Sequence, residues 1–401
     1  MLNPKTQERE LCYVVEINDI QPIPNYDRVE LATVGGWHII VQKGQFKVGD
    51  KAVYIEVDSR VPIKEPFLFL EKRNYKVKTL KMCKCISQGL LMSFSDFGWE
   101  EDTHQVGDFL TKELGITYYE AGDNDRKAPS ANKYDKMKQR HKKLFKNPIV
   151  KNIMKFKIGR EIMFFFFGKK RDKKSAFPSW VKKTDEERVQ NMPFLFSDPD
   201  KDKKIWMVTE KIDGCSSTFT LRKTKFNKFD YRVCSRNVCF DKPDKKCYYE
   251  TNVYLEIAER YNMRKRLEKL FNMAKSYTNK DIEYVTIQGE IYGKNIQRRT
   301  YNMDSTDLAV FNVIYGDKDG NEVRANPEIM KILMDELGLP TVPILDTNFI
   351  LPNSCDELLT YAESENSKID GGMREGIVLR GSNGVQSFKA VSNKFLLKYH
   401  N

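Results

Sequence analysis

A lysine closes a short apolar run and is followed, one residue later, by Asp-Gly. The apolar run covers residues 205–208, and residues 210–219 read EKIDGCSSTF. Asp-Gly after such a run is typical of the end of a strand and the start of a turn. Lys211 is therefore either a solvated turn lysine or a nucleophile at a sheet edge, and these ten residues leave both interpretations open. To act as a nucleophile it must lose a proton, since an unperturbed lysine has a pKa of ~10.4.

Five further stretches place a polar or aromatic residue in or beside an apolar strand. They read CSRNV (234–238), TIQGEIYG (286–293), DLAVFNVIY (307–315), REGIVLR (374–380) and SFKAVSNK (387–394). Each has an ordinary structural explanation: Arg236 suits a surface strand, and Glu290 and Glu375 suit turns beside glycine. Phe311 could be a core residue of an alternating strand, and Lys389 could lie on an edge strand, where a lysine prevents aggregation. Their joint order along the chain favours one functional site over five separate structural roles.

The ordered set K-x-D-G, S-R-N, Q-G-E, an aromatic strand, E-G-I-V and S-F-K resembles the covalent nucleotidyltransferases. These include ATP-dependent ligases and messenger RNA capping enzymes. The stretches KTDEERVQN (183–191), PIPNYDRVELATVGGW (22–37) and ISQGLLM (86–92) are similar to the RNA ligases with an N-terminal OB domain, the Naegleria and Deinococcus type. The resemblance covers nearly the whole chain.

This resemblance implies an ATP-dependent polynucleotide ligase that passes AMP to a lysine, then to an RNA 5′-phosphate, and finally joins that end to a 3′-hydroxyl. The implied catalytic residues are Lys211, Glu290, Glu375 and Lys389. The implied nucleotide contacts are Glu210, Lys211, Arg236, Glu290, Phe311 and Lys389, with Phe311 stacked on adenine. The implied ligands of Mg²⁺ or Mn²⁺, mainly through its waters, are Asp213, Glu290 and Glu375.

The chemistry of these residue types agrees with the implied roles. Only about one lysine in two thousand is neutral at pH 7 without help, so we expect the site to lower the pKa of Lys211 through desolvation and a nearby metal ion. Phosphoryl transfer spreads negative charge over the phosphate oxygens, and Lys389 and Arg236 are the expected cationic partners.

One position departs from the pattern of this family. Many relatives carry a second lysine two residues after the first, as K-x-K. Here that position is Val391, and the next lysine is Lys394. We expect Lys389 to contact phosphate, and the role of Lys394 stays open.

The elements that must position these residues fall into two units. Residues 11–99 read as about five short strands separated by turns, which best suits an OB-type β-barrel within a domain of residues 1–120. Residues 176–401 read as an α+β catalytic domain with antiparallel, ATP-grasp-like sheets. We predict strands at 205–210, 216–222, 230–235, 284–292, 308–315, 375–380 and 386–391. We predict helices at 252–275, 327–337 and 356–365.

A basic segment is expected to link the two domains. The chain carries a formal charge of +12, and residues 126–174 hold 18 Lys and Arg against three acidic residues. A single basic segment (121–175) in an otherwise near-neutral chain indicates a polyanionic partner such as RNA, or else a solvated linker. In the OB-type domain a second basic run, from Arg73 to Lys84, indicates RNA positioning on a strand face.

Composition also bears on compartment and class. Eight scattered cysteines without a CxxC pair, and a first segment without an apolar stretch, indicate a reducing intracellular compartment. The most apolar run, residues 162–168, is too short to cross a membrane, and we expect a monomer.

Two other classes of protein fit the sequence less well than an RNA ligase does. DNA ligases and capping enzymes place an OB domain after the catalytic domain, whereas only twelve residues follow Lys389 here. An RNA-binding module with an inactive catalytic domain would have no need of four intact charged site residues. The interpretation is an ATP-dependent RNA ligase acting on 5′-phosphate and 3′-hydroxyl ends, with a nicked duplex as the expected substrate.

Overall fold

A computed structural model describes residues 1–119 apart from 4 and 7, and residues 177–399 apart from 226–227, 241–246, 248, 250, 279–280 and 382–385. Four isolated residues between these parts are also described: Asn147, Val150, Met154 and Met163. The predicted basic segment otherwise lies outside the described residues.

The N-terminal unit is built from short antiparallel strands. Its longer ones are β1 (Cys12–Glu16), β2 (Asp19–Pro22), β3 (Val29–Val34), β4 (Trp37–Gln42) and β5 (Lys51–Ile55). The shorter ones are β6 (Ser59–Arg60), β7 (Lys76–Val77), β8 (Leu80–Met82), β9 (Cys85–Ser87), β10 (Leu90–Met92) and β11 (Thr117–Tyr118), with helix α1 at Thr111–Leu114. The sheets run β1-β5-β10, β2-β3-β4, β11-β6-β7 and β8-β9. Two apolar clusters fill the unit, and successive residues of β1 and β5 alternate between them because neighbouring side chains of a strand point to opposite faces.

The C-terminal unit contains two five-stranded sheets. The first has the order β12-β21-β20-β13-β19 and joins β12 (Glu187–Arg188), β13 (Trp206–Lys211), β19 (Ile344–Phe349), β20 (Gly376–Gly381) and β21 (Ser387–Val391). The second has the order β15-β14-β16-β17-β18 and joins β14 (Cys215–Lys223), β15 (Phe229–Ser235), β16 (Ile282–Gly293), β17 (Thr306–Asp317) and β18 (Glu322–Arg324). All pairings are antiparallel except the parallel pair β12–β21. The predicted antiparallel α+β domain is therefore confirmed.

Helices pack on the outside of these sheets. They are α2 (Val253–Arg260), α3 (Met263–Thr278), α4 (Pro327–Leu337), α5 (Cys355–Ser364) and α6 (Asn393–Tyr399). Helix α4 has the predicted limits, with Pro327 in its first turn and Gly338 as its left-handed C-cap. The helix predicted over 252–275 is two helices, because Asn262 adopts a positive φ of 45° at the break between α2 and α3. None of the described helices is long and apolar enough to cross a membrane.

The two units contact each other through apolar side chains. Ile86 of β9 shares a buried cluster with Val391 of β21 and Leu396 of α6. At the β3–β4 turn, a Cβ on Gly36 would lie 2.6 Å from the sulfur of Cys355, so the turn packs directly against side chains of the C-terminal unit. The N-terminal unit is therefore docked directly on the strand that carries Lys389.

Candidate active site

A cavity of about 580 Å³ lies between the two sheets of the C-terminal unit. Every residue that the sequence predicted for the site lines this cavity: Glu210, Lys211, Asp213, Arg236, Glu290, Phe311, Glu375 and Lys389. Its size is within the range of roughly 300–1,000 Å³ that small-molecule sites occupy. Residues spread over 180 positions of sequence are thus brought to one place by the register of strands.

Lys211 is the last residue of β13 and pairs in register with Gly376 of β20. This pairing brings Glu375 beside it, and Lys211 Nζ lies 2.7 Å from Glu375 Oε1. A Cβ on Gly376 would lie 2.2 Å from the Ala390 carbonyl, so only glycine allows β20 and β21 to approach closely here. The register therefore sets an ion pair between the predicted nucleophile and a predicted catalytic carboxylate.

Burial and charge act in opposite directions on Lys211. Burial acts to lower the pKa of Lys211, but the carboxylates of Glu375 and Glu290 outweigh burial and raise the pKa above its ordinary value. The predicted lowering of this pKa relies on a nearby metal ion as well as on burial, and the carboxylates by themselves act in the opposite direction. Beside these carboxylates alone, Lys211 is held as an ammonium, which cannot attack.

Asp213 and Glu290 complete an acidic group around the lysine. Burial, followed by the charge of Glu375, raises the pKa of Asp213 to about 7. Burial raises the pKa of Glu290 to about 8, with Glu375 and Asp213 adding to the effect while Lys211 opposes it. Crowding of this kind disfavours three ionised carboxylates unless a further positive charge is present.

This donor set suits a hydrated divalent cation. Glu375 Oε2 is buried and has no hydrogen-bond partner, so one carboxylate oxygen is free to accept from a metal-bound water. Among the described residues, no three His, Cys, Asp or Glu side chains are close enough to coordinate a metal ion directly. The residues therefore fit a metal held through its waters, as Mg²⁺ commonly is. Their assignment as metal ligands stays a prediction.

Gly214 connects the lysine turn to the acidic group. A Cβ at this position would lie 2.3 Å from the Ile291 carbonyl oxygen and 2.9 Å from Glu290 Cγ. The glycine of the Asp-Gly pair is therefore required by its close approach to β16, and not by the turn alone.

Phe311 reaches the cavity through a β-bulge. The register of β16 and β17 shifts between the pairs Gln288–Asn312 and Gly289–Val310, which leaves Phe311 as the extra residue. Its neighbours Val310 and Asn312 are buried, whereas Phe311 is half-buried and lines the cavity. Bulges often redirect a side chain next to a functional site, and here the bulge removes Phe311 from the alternating core pattern.

Two cationic side chains that line the cavity share one carboxylate, and we call this part of the cavity its cationic end. Arg236 donates to Asp185 Oδ2 at 2.7 Å, and Lys389 Nζ lies 3.6 Å from Asp185 Oδ1. Burial lowers the pKa of Lys389 to about 8, with Arg188 adding to the effect. One carboxylate thus bridges two of the predicted phosphate-binding cations.

Arg188 was not predicted as a site residue. It pairs with Lys389 across the parallel strands, and burial lowers its pKa. Its guanidinium lies 5.8 Å from the ring centroid of Trp37 in the N-terminal unit. Asp185 and Arg188 both belong to the KTDEERVQN stretch, but only the pairing of β12 with β21 shows that this stretch reaches the cavity.

The comparisons with known proteins agree with this arrangement. Residues 204–400 match the RNA ligase family model, and residues 11–94 match the model of an OB-fold domain. The C-terminal unit is therefore similar to RNA ligases. The N-terminal unit is therefore the predicted OB domain, and the docked surface described above joins an OB domain to an RNA ligase domain.

Solved structures similar to the chain extend this result. A mutant of Naegleria gruberi RNA ligase with ATP and Mn is 26% identical, with a TM-score of 0.63, and covers 98% of this chain and 100% of its own. Naegleria gruberi RNA ligase with PPi is 26% identical, with a TM-score of 0.62, and covers 98% of this chain and 99% of its own. Another mutant of this ligase, with AMP and Mn, is 26% identical, with a TM-score of 0.63, and covers 97% of this chain and 99% of its own. No match was found among curated proteins. The predicted resemblance to this type of RNA ligase is thereby confirmed.

In the ligase domain, Glu210 has a role that its sequence did not indicate. Its buried carboxylate accepts hydrogen bonds from Ser367 Oγ and from the Lys368 amide at 2.8 Å. Burial raises the pKa of Glu210, whereas these two hydrogen bonds act to lower it. Both oxygens are engaged with the loop that leads to Glu375, so the carboxylate fixes that loop. A nucleotide contact by Glu210 stays a prediction.

The missing second lysine of the K-x-K pattern also has a structural explanation. Val391 is buried against Ile86, so this position supports the contact between the OB domain and the ligase domain. Lys394 Nζ lies 3.4 Å from Glu363 Oε2, and Lys394 is not among the residues that line the cavity. In this chain Arg188 supplies a second cation next to Lys389.

The basic run of the OB domain is only partly available to RNA. Arg73, Lys78, Lys81 and Lys84 are exposed. Lys76 is buried, with its ammonium 3.8 Å from the ring centroid of Tyr119. Its assignment to the RNA surface is wrong, because its charge is held against an aromatic ring inside the domain.

Proposed function

We propose that the chain is an ATP-dependent RNA ligase that joins RNA 3′-hydroxyl and 5′-phosphate ends through lysyl-AMP and RNA-adenylate intermediates. The observation that carries this proposal is the ion pair between Lys211 and Glu375 inside a cavity that also contains an aromatic ring and a cationic end. An RNA repair or nick-sealing role, a monomeric state and an intracellular compartment belong to the same proposal. The eight scattered cysteines, none of them in a CxxC pair, support a reducing compartment.

The cavity offers a complementary surface to each part of ATP. The ring of Phe311 provides a face on which adenine can stack. Stacking on an aromatic ring contributes to binding without hydrogen bonds to the edges of the base. Lys389 and Arg236 provide positive charge for the phosphates, once these displace the carboxylate of Asp185. The α-phosphorus would then lie between Lys211 and the cationic end.

In the first step, Lys211 Nζ forms a bond to the α-phosphorus and the bond from that phosphorus to the bridging oxygen breaks. Pyrophosphate leaves, and the ammonium loses two protons for each lysyl-AMP formed, one before the attack and one as the N–P bond forms. Glu375 Oε1 already accepts this N–H at 2.7 Å and is the first atom able to take the proton. A divalent metal ion held through water by Asp213, Glu290 and Glu375 would supply positive charge that offsets the carboxylates and favours the neutral amine.

The later steps use the same cationic end. An oxygen of the RNA 5′-phosphate attacks the lysyl-AMP phosphorus, the N–P bond breaks, and Lys211 regains a proton. A 3′-hydroxyl then attacks the RNA phosphorus, and AMP leaves with the bridging oxygen. Lys389, Arg236 and Arg188 are the available cations for the charge that develops on these phosphates.

A sealing assay tests this function. The substrates are nicked duplexes with a labelled 5′-phosphate, and they have RNA on both sides of the nick, DNA on the 3′-hydroxyl side only, or DNA on both sides. We expect ATP-dependent sealing with an RNA 3′-hydroxyl and loss of sealing in Lys211→Ala. Equal sealing of all-DNA nicks would indicate a DNA ligase, and transfer of label from GTP to the enzyme would indicate a capping-type enzyme.

A further inference from the structure

The loop between β16 and β17 carries three buried residues outside every predicted motif, Ile296, Arg299 and Tyr301, and the last two bear polar groups. Arg299 has 3% of its surface exposed, as does Tyr301. The residue between them, Thr300, and the preceding Arg298 are exposed. A buried arginine next to an acidic cavity requires partners, since an unpaired buried charge is strongly unfavourable.

Arg299 is paired to the segment that leads into Glu375. Its Nη1 donates to the Met373 carbonyl, and its Nη2 donates to Asp370 Oδ1. The same Asp370 oxygen accepts the amide of Gly372 at 3.0 Å. The guanidinium therefore fixes the backbone two residues before Glu375.

Tyr301 connects the same loop to the lysine turn. The amide of Asp213 donates to Tyr301 Oη at 2.6 Å, and the Arg299 guanidinium lies 4.0 Å from the centre of the tyrosine ring. Tyr301 holds a φ of 53°, which is uncommon for an aromatic residue and persists only where contacts determine the conformation. Its ring also packs edge-on against Tyr292, with centroids 5.2 Å apart.

We propose that Arg299 and Tyr301 are positioning residues for lysine adenylation. Stacked on each other, they set the distance between the Asp213 turn, where the chain passes from one sheet to the other, and the Met373–Glu375 segment that leads into β20. Their effect is on the carboxylates that receive the hydrated metal ion and on the placement of Lys211. This inference rests on the proposed function, because it assigns a role within that reaction.

The decisive variant is Tyr301→Phe. It keeps the ring and its contact with Arg299 but removes the oxygen that accepts from Asp213. A displacement of about 1 Å at a reacting group can cost about 100-fold in rate. We expect kcat for transfer of label from ATP to the enzyme to fall about 10- to 100-fold, with the ATP KM changed less than about threefold.

A second pair of variants tests the arginine. Arg299→Lys retains the charge but loses the planar, two-ended contact, and Arg299→Met loses both. We expect Arg299→Lys to retain more adenylation than Arg299→Met. Because Arg299→Met removes one partner of a buried pair, its folding is checked by circular dichroism. Arg298→Ala is the matched control in the same loop and should match the wild type.

Binding of Mn²⁺ to the protein without nucleotide, followed by the electron paramagnetic resonance signal of the free ion, separates positioning from a purely structural role. We expect Tyr301→Phe to weaken Mn²⁺ binding at least about fivefold while its melting temperature remains near that of Arg298→Ala. Wild-type adenylation and Mn²⁺ affinity in Tyr301→Phe would overturn the inference, and so would a lower melting temperature with unchanged Mn²⁺ affinity. If the wild type itself takes no label from ATP, the proposed function fails instead.

Discussion

Lys211 Nζ and Glu375 Oε1 lie 2.7 Å apart, and this contact stabilises the form of the lysine that cannot react. The charge of Glu375 is the main influence that raises the pKa of Lys211 against the opposing effect of burial. A cation that reaches the carboxylates reverses this balance, because it removes the stabilisation of the ammonium. The same carboxylates would thus hold the nucleophile inactive without a metal and help to activate it with one.

Glu375→Gln should lower the pKa of Lys211 although it abolishes adenylation. Removing the negative charge destabilises the ammonium, so the neutral amine appears at lower pH. The measurement is the rate at which an amine reagent modifies Lys211 as a function of pH, read by peptide mass spectrometry without divalent metal. Lys318, whose ion pair with Asp281 is separate from the cavity, is the internal control. An unshifted profile at Lys211 would show that Glu375 does not govern its protonation.

Glu290→Gln should change how stability depends on pH. The pKa of Glu290 is about 8 in the folded protein, against an ordinary value of 4.5. Between these values the folded state binds more protons than the unfolded state, so stability falls as pH rises through this window. We expect the melting temperature of Glu290→Gln, relative to wild type in chelator, to increase from pH 5 to pH 8.5.

Two additions make the Glu290 measurement specific. Glu328→Gln, an exposed helix residue, should differ from wild type by a constant amount over the same range. Mn²⁺ should raise the melting temperature of the wild type at pH 8 more than that of Glu290→Gln. A pH-independent difference between Glu290→Gln and wild type would contradict the raised pKa.

Phe311→Ala should weaken ATP binding. Stacking of a base on an aromatic ring contributes roughly 1–3 kcal/mol, which corresponds to an increase in KM of about 5- to 150-fold. Phe311→Tyr retains the ring and should remain close to wild type. The measurement is the ATP dependence of label transfer, and an unchanged KM in Phe311→Ala would place adenine elsewhere.

Substitution of exposed lysines in the OB domain should change RNA binding, whereas substitution of a buried lysine should change stability. A triple variant with Lys78→Ala, Lys81→Ala and Lys84→Ala should bind nicked RNA more weakly. For each phosphate contact that is lost, the slope of log affinity against log salt concentration should become less steep by up to about 0.9. Lys76→Ala should lower the melting temperature and leave the salt dependence unchanged, because Lys76 is buried against Tyr119. Equal salt slopes in the triple variant and the wild type would remove this face from the RNA path.

Much of the site could be predicted because several motif carboxylates have a glycine beside them in the sequence: Asp213 precedes Gly214, Glu290 follows Gly289, and Glu375 precedes Gly376. Gly214 and Gly376 permit the close approach that brings Lys211, Glu290 and Glu375 together. The bulge that turns Phe311 into the cavity could not be predicted, because it depends on pairing with a strand some twenty residues away.

Other features depend on contacts between distant segments. The parallel pairing of β12 with β21 brings Arg188 next to Lys389. This pairing could not be predicted, because a strand of two residues is too short to show an alternating hydrophobic pattern. The burial of Lys76 follows from packing against Tyr119, whereas its sequence neighbourhood is that of an exposed basic run. The raised pKa of Lys211 reflects several charges at once, which spacing along the chain does not reveal.

Transfer of AMP to Lys211 is the central claim, and α-labelled ATP tests it most directly. The purified protein is incubated with the labelled nucleotide and Mg²⁺ or Mn²⁺, and the modified residue is identified by peptide mass spectrometry. We expect one AMP per chain on Lys211, released on addition of pyrophosphate, and no label in Lys211→Ala. Label on another residue, or unchanged labelling of Lys211→Ala, would contradict the account.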